Sequence, residues 1–217
     1  MYTLTDIKKN YQQGETQIQV LKGLNFSIKE GETVSVVGQS GSGKSTLLSI
    51  LCGLENVNEG NLSFAGADLT NKSEDELTLF RSQELGIIFQ HFHLVPHLTA
   101  LENVLLPLEI QGIDDERKGL ELLKRVGLAH RDHHFPAQLS GGEMQRVAVA
   151  RALITSPKVI LADEPSGNLD KENAAKIIDL MFELVKERNT SLVLVTHDME
   201  LAKKCERQLK LENGILV

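Results

Sequence analysis

The sequence predicts an α/β fold: a mostly parallel core sheet, an N-terminal antiparallel β subdomain and an inserted α-helical subdomain. Three observations predict it. Strand patterns separated by turn residues open the chain, apolar strands alternate with helical patterns later, and the stretch 91–156 between them has helical segments and no strand.

Taken in order, Leu24-Phe26-Ile28 and Val34-Val36 alternate at the strand period and are joined by a turn at Glu30-Gly31. They read as a hairpin leading into a buried strand. From Ser45 the pattern is helical through Leu54, and "GNLSFAGADL" returns to a short strand with turn residues around it. "LGIIFQ" is a short buried strand. After it come "LTALENVLLPLEIQG" and "DDERKGLELLKRVGL", helical with charged faces, so 91–156 reads as the insertion and 1–90 with 157–217 as the core. The order then becomes regular: a helix from Gly142 to about Thr155, the strand "KVILAD", the helix "DKENAAKIIDLMFELVKER" and the strand "SLVLVT". Such alternation implies a parallel sheet with right-handed crossovers. The tail "RQLKLENGILV" reads as a hairpin on Asn213-Gly214.

Composition narrows the class. The apolar fraction of 41% and charged fraction of 24% are ordinary for a globular protein. No apolar run approaches the roughly 18 to 20 residues that cross a bilayer, and the opening "MYTLTDIKKNYQQGE" lacks the apolar core of a secretory signal, which implies the cytosol. Cys52 and Cys205 sit in apolar patterns and read as reduced structural thiols. A formal net charge of -7 argues against a nucleic-acid partner, which requires a basic face.

The chemistry concentrates in short motifs. "GQSGSGKST", Gly38 to Thr46, matches G-x-x-x-x-G-K-[ST] between an apolar strand and a helix. Gly38, Gly41 and Gly43 let the backbone curl so that successive N–H groups, with those of Ser40 and Ser42, point at phosphate oxygens; the helix start adds its positive dipole end. Lys44 reaches the outer phosphates, and Ser45 binds the accompanying Mg2+. "VILADEP" ends an apolar strand in two acids. Strand ends of a parallel sheet hold ligands, so Asp163 and Glu164 are expected beside the phosphate loop. Asp163 suits a carboxylate holding magnesium through water, and Glu164 suits a base that takes a proton from an attacking water. "LVLVTHD" ends at His197, which either contacts the outermost phosphate or positions the water.

These residues, with "LSGGEMQRVAVARAL", resemble the nucleotide-binding subunits of ATP-binding cassette (ABC) transporters over nearly the whole chain. The resemblance implies a P-loop NTPase of ABC type that hydrolyses ATP with Mg2+. It implies that Ser140, Gly141, Gly142 and Glu143 face the phosphates of ATP held by a second copy in a head-to-tail dimer. A helix start with two glycines is itself an anion site, and the chain already has one for its own nucleotide. Tyr11 resembles the aromatic that stacks on adenine, with Val20 beside it. Gln90 resembles the glutamine that ligands magnesium and senses the membrane partner, and Asp170 the aspartate linking the two sites across the dimer. Ser166 stands where the family usually has threonine.

"FHLVPHLTALENVLLPL" and "ADEPSGNLD" look like the branch of lipoprotein-releasing and macrolide-exporting ATPases. That branch implies a permease with few spans and a large extracytoplasmic domain, contacted near Gln90 to Glu102. It also implies a peripheral location on the inner face of the cell membrane. Two rivals remain: a soluble ABC ATPase acting on nucleic acid or ribosomes, and a phosphoryl-transferring kinase. The first usually carries a second cassette, coiled-coil arms or basic tails, and the second leaves the "LSGGE" helix and His197 without a use. Histidines 91, 93, 97, 130, 133 and 134 lack the Cys and carboxylate company of a closed zinc site and read as solvated or hydrogen-bonded.

Overall fold

The structure, a computed structural model, describes residues 1–217 apart from the side chain of Lys171. Two compact units emerge: Met1–Arg81 with Ser191–Val217, and Ser82–Thr190.

The first unit holds two groups of strands. Strands β1 (Tyr2–Gln13) and β2 (Thr16–Ile28) form a long antiparallel hairpin across Gly14 and Glu15, and Gly14 at φ 61 supplies the turn. Strand β4 (Glu59–Phe64) pairs antiparallel with the other edge of β1, and the two-residue β5 (Ala67–Asp68) closes the order β2-β1-β4-β5. Strand β3 (Thr33–Val37) belongs elsewhere. It lies between β8 (Ser191–Thr196) and β9 (Arg207–Glu212), parallel to both, and β10 (Ile215–Leu216) returns along β9.

The expected hairpin of Leu24–Ile28 with Val34–Val36 is therefore not formed. The turn at Glu30-Gly31 is real, with Gly31 at φ 73, but it carries the chain from one sheet to another. Burial separates the two strands: β2 shows an exposed face, whereas Val34 through Val37 are all buried, the pattern of a strand covered on both sides. The tail hairpin is as expected. Asn213 and Gly214 both have positive φ, 50° and 83°, the requirement of a two-residue I′ turn.

Helix α1 (Lys44–Leu51) stops sooner than its periodicity suggests. Cys52 caps it, Gly53 turns out at φ 63, and Arg81 donates to the Gly53 carbonyl at 2.7 Å. The Tyr2 hydroxyl donates to the Leu51 carbonyl at 2.8 Å, so the buried β1 ring also covers an orphan carbonyl of the helix end. Tyr2, Phe64 and Phe80 pack edge to face at 4.8 and 5.0 Å. Helix α2 (Glu74–Glu84) crosses the division between units; its polar sequence gave no clear period.

The second unit pairs β6 (Leu85–Ile88) parallel with β7 (Val159–Asp163). Around them lie α3 (Ala100–Ile110), α4 (Glu116–Arg125), α5 (Gly141–Leu153) and α6 (Lys171–Glu187), and no strand falls within 91–156. Gly119 allows α4 to approach α3: a Cβ there would stand 2.7 Å from Leu105 Cδ2. Its core includes Val104, Leu123, Val147, Ile160 and Ile177, all fully buried. Asn103 is fully buried too, and every polar atom is used. Its amide donates to the carbonyls of Val95, Leu98 and Thr99 and accepts from Val95 N at 2.7 Å, pinning the loop ahead of α3.

Candidate functional site

In the first unit, β3 ends at Val37 and the chain leaves the sheet at Gly38. A Cβ there would lie 2.2 Å from the Leu211 carbonyl oxygen, so only glycine fits. Gly41 and Gly43, at φ 78 and 104, turn the chain until α1 begins at Lys44. The Lys44 ammonium lies back over the loop and donates to the carbonyls of Gly38 and Gln39 at 2.8 and 2.9 Å. The first turn of α1 has no acid, so the positive end of the helix is uncompensated where Ser45 and Thr46 stand.

Gln39 to Ser42 line a cavity of about 180 Å³ whose other wall is Glu212 and Asn213. His197 belongs to the same end of the unit. Val37 is the register partner of Thr196, so Gly38 and His197 leave neighbouring strands at one level. Val20 is also here, and Tyr11 lies further along β1, paired with Ile18. The β1–β2 register skips Val20, pairing Lys9 with Leu21 and Asn10 with Gln19. That bulge turns Val20 toward the phosphate loop, and its Cγ1 would be 3.3 Å from a Cβ on Gly43.

The second unit carries the remaining candidates. Ile88 is paired with Ala162, and Gln90 and Glu164 each stand two residues beyond that rung, with Asp163 between. Gln90 thus follows the end of its strand rather than closing it. Glu164 has φ 45, unusual outside glycine, and the next residue, Pro165, is buried. Strain of this kind at the end of a core strand re-aims a side chain.

Ser140 caps α5 with a complete capping box: its hydroxyl accepts from Glu143 N, and the Glu143 carboxylate accepts from Ser140 N at 2.9 Å and Oγ at 2.8 Å. Those bonds, the backbone one foremost, hold the Glu143 carboxyl below its ordinary range. The N–H groups of Gly141 and Gly142 make no intrahelical bond at such positions and face outward from the turn. Asp170 caps α6 and accepts from Asn173 N at 3.0 Å, which likewise lowers its carboxyl. A Cβ on Gly142 would be 3.7 Å from Asn173 Cγ, so the starts of α5 and α6 lie side by side.

Sequence reasoning missed the groups that hold these residues. Asn168 donates to the Gln90 carbonyl at 2.9 Å, and Gly167 leaves room for the Gln90 amide, which a Cβ would meet at 2.8 Å. Arg151, one of the last residues of α5, donates to the carbonyls of Phe92 and His93. The Gln90 segment is therefore braced from both sides. Asn168 lies in "SGNLD" and Arg151 in "ARAL", polar residues in motifs already singled out, but nothing local pairs either of them with the distant Gln90 segment.

Comparison with known proteins decides the family. The model described as "ABC transporter" matches residues 21–167. The chain belongs to the ABC transporter family. It is an ATP-binding, ATP-hydrolysing subunit of that family. The cassette is 47% identical to the lipoprotein-releasing system ATP-binding protein LolD of Hydrogenovibrio crunogenus, over 97% of this chain and 93% of the relative. It is 48% identical to the uncharacterized ABC transporter ATP-binding protein YbbA of Escherichia coli, with the same coverage. Among solved structures it resembles the ATP-binding cassette MJ0796, in a dimeric post-hydrolysis state bound to ADP and Pi. The TM-score is 0.92 at 43% identity, covering 100% of this chain and 96% of that one. The ABC fold assignment therefore holds in all three parts: parallel strands, antiparallel β region and helical insertion.

Proposed function

We propose that this cassette works as a head-to-tail dimer of two copies and drives a membrane permease of the lipoprotein-release or macrolide-export type. The observation that carries the reading is the capped helix start at Ser140–Gly142, whose two glycines suit a second anion, in a chain whose Gly38–Thr46 loop is shaped to take one triphosphate. A second copy gives it a use. The dimeric state of MJ0796 supports an assembly of two copies. The names of the LolD relatives support the branch, and an identity to YbbA of 48% against 47% leaves the cargo to the permease.

In this reading 1–90 and 157–217 form the ATP-binding core and 91–156 the helical subdomain. Tyr11 stacks on adenine beside Val20. The N–H groups of Gly38 to Gly43 and the Lys44 ammonium take the phosphates, and Ser140, Gly141, Gly142 and Glu143 of the other copy cover them. Glu164 takes a proton from the attacking water, His197 holds the outermost phosphate or that water, and Asp170 joins the two sites. Ser45, Gln90 and Asp163 offer hydroxyl, amide and carboxylate oxygens, the hard donors that Mg2+ prefers. When bound there it neutralises phosphate charge.

The permease is received on the segment from Gln90 to Glu102, where His91, His93, Pro96 and His97 are exposed over a backbone held by Arg151, Asn168 and Asn103. No helix among the described residues is long and apolar enough to cross a membrane, which fits attachment to the inner face through that partner.

The test is copurification of tagged Glu164→Gln cassette from native membranes with ATP present. Recovery of a few-span permease with a large extracytoplasmic domain is the expected result. Ribosomes or nucleic acid without a permease would instead favour the soluble ATPase. The same variant is expected to bind ATP and lose turnover by about 100-fold or more.

A further inference from the structure

Lys9 is an oddity in an exposed region: it lies in the half of β1 that leads to the hairpin turn, yet its side chain is only 11% exposed. A buried ammonium needs partners, and this one has three. It donates to the Asn56 carbonyl at 2.6 Å, pairs with Glu55 Oε2 at 2.6 Å, and lies over the Tyr11 ring, 5.1 Å from its centroid. The ring itself is 37% exposed. Glu55 and Asn56 lie in the segment between α1 and β4, so the ammonium ties the Tyr11 ring to the far end of the helix that starts at the phosphate loop.

This bears on binding because a solvent-exposed tyrosine loses rotamer freedom when a base stacks on it. A cation already seated on the ring imposes that order beforehand and attracts the π face electrostatically. Glu55 balances the charge, so the ammonium orders the ring without adding a net positive charge beside an uncharged base.

We propose that Lys9 is a positioning residue for the nucleotide base, held by Glu55 and Asn56 so that it fixes the Tyr11 ring for stacking on adenine. The proposal rests on the reading of Tyr11 as the adenine platform. It separates base recognition from phosphate recognition, because Lys9 touches the ring and not the loop from Gly38 to Lys44.

The experiment measures equilibrium binding of ATP and of inorganic tripolyphosphate to the wild type, Lys9→Met, Lys9→Arg, Tyr11→Ala and the double variant Lys9→Met/Tyr11→Ala. Lys9→Met should weaken ATP about 3- to 10-fold, raise KM without lowering kcat, and leave tripolyphosphate unchanged. Lys9→Arg, which keeps a cation on the ring, should bind ATP within about two-fold of wild type. In the Tyr11→Ala background Lys9→Met should cost nothing more. Equal weakening of both ligands, or a full Lys9→Met loss without Tyr11, would overturn the proposal by making Lys9 a purely structural brace. If Tyr11→Ala alone leaves ATP affinity intact, the platform reading itself fails and takes the proposal with it. Should Lys9→Met not fold, Glu55→Gln at the half-buried partner gives the same contrast between ligands.

Discussion

At the scale of single residues, the phosphate loop shows how two glycines in one motif are needed for different reasons. Gly41 has positive φ and open space around it, whereas Gly38 has a carbonyl oxygen 2.2 Å from where a Cβ would stand. Gly41→Ala should therefore cost only the backbone strain, about 1 to 2 kcal/mol. Gly38→Ala must push the loop away from Leu211 and so should cost more, about 3 kcal/mol, and weaken ATP binding as well. Urea unfolding with parallel ATP titration checks both; equal effects would show that the contact with Leu211 gives way freely. Cys205 is a second case. Burial pushes its thiol up to about 12, so a disulfide reagent at pH 8 should leave it unmodified until the cassette is unfolded.

At the scale of elements, the α5 start combines shape and charge. The Glu143 carboxyl is lowered by the Ser140 bonds and has Arg131 Nε at 3.1 Å, so its ionised form is favoured by folding. The sign follows from that. A carboxyl depressed in the folded state contributes its stability above the ordinary glutamate value, about 4.3, and loses it as pH falls through the lower folded value. Glu143→Gln keeps an N3 side chain that can complete the box but cannot titrate. The Tm difference between wild type and Glu143→Gln should be constant from pH 7 to about 5 and shrink toward pH 3; a difference independent of pH would exclude the carboxylate as its source.

Elements were also the scale at which sequence and structure parted. Local signals served well where neighbours in sequence decide the outcome: the strand, loop and helix around Gly38–Thr46, the Asn213-Gly214 turn, and the helix expected from Gly142, which starts one residue earlier at Gly141. They failed at Glu30-Gly31, because turn chemistry bends a chain without saying which strand it will meet. One partner of β1 and both partners of β3 come from Glu59–Phe64 and from Ser191–Glu212, far along the chain. The same distance hid the bracing of Gln90 by Asn168 and of Tyr11 by Lys9 with Glu55. A motif marks the residue that meets a ligand, and the groups that hold it are set by contacts no local pattern encodes.

At the scale of the whole molecule, the proposed reading gives the chain two kinds of anion site. The first unit offers the loop at Gly38–Thr46, with Tyr11 and His197; the second offers the capped start of α5 beside a braced Gln90 segment. In the proposed dimer, two copies arranged head to tail would put each kind to use, and ATP would be the link that brings the copies together. The measurement that tests this most directly is sedimentation of Glu164→Gln with and without saturating ATP, alongside Glu164→Gln/Ser140→Arg. The account predicts a doubling of mass with ATP for the first variant, and ATP binding without doubling for the second, whose altered residue meets nucleotide only on another copy. A monomer at saturating ATP in the first variant, or ATP binding lost together with dimerisation in the second, would contradict it.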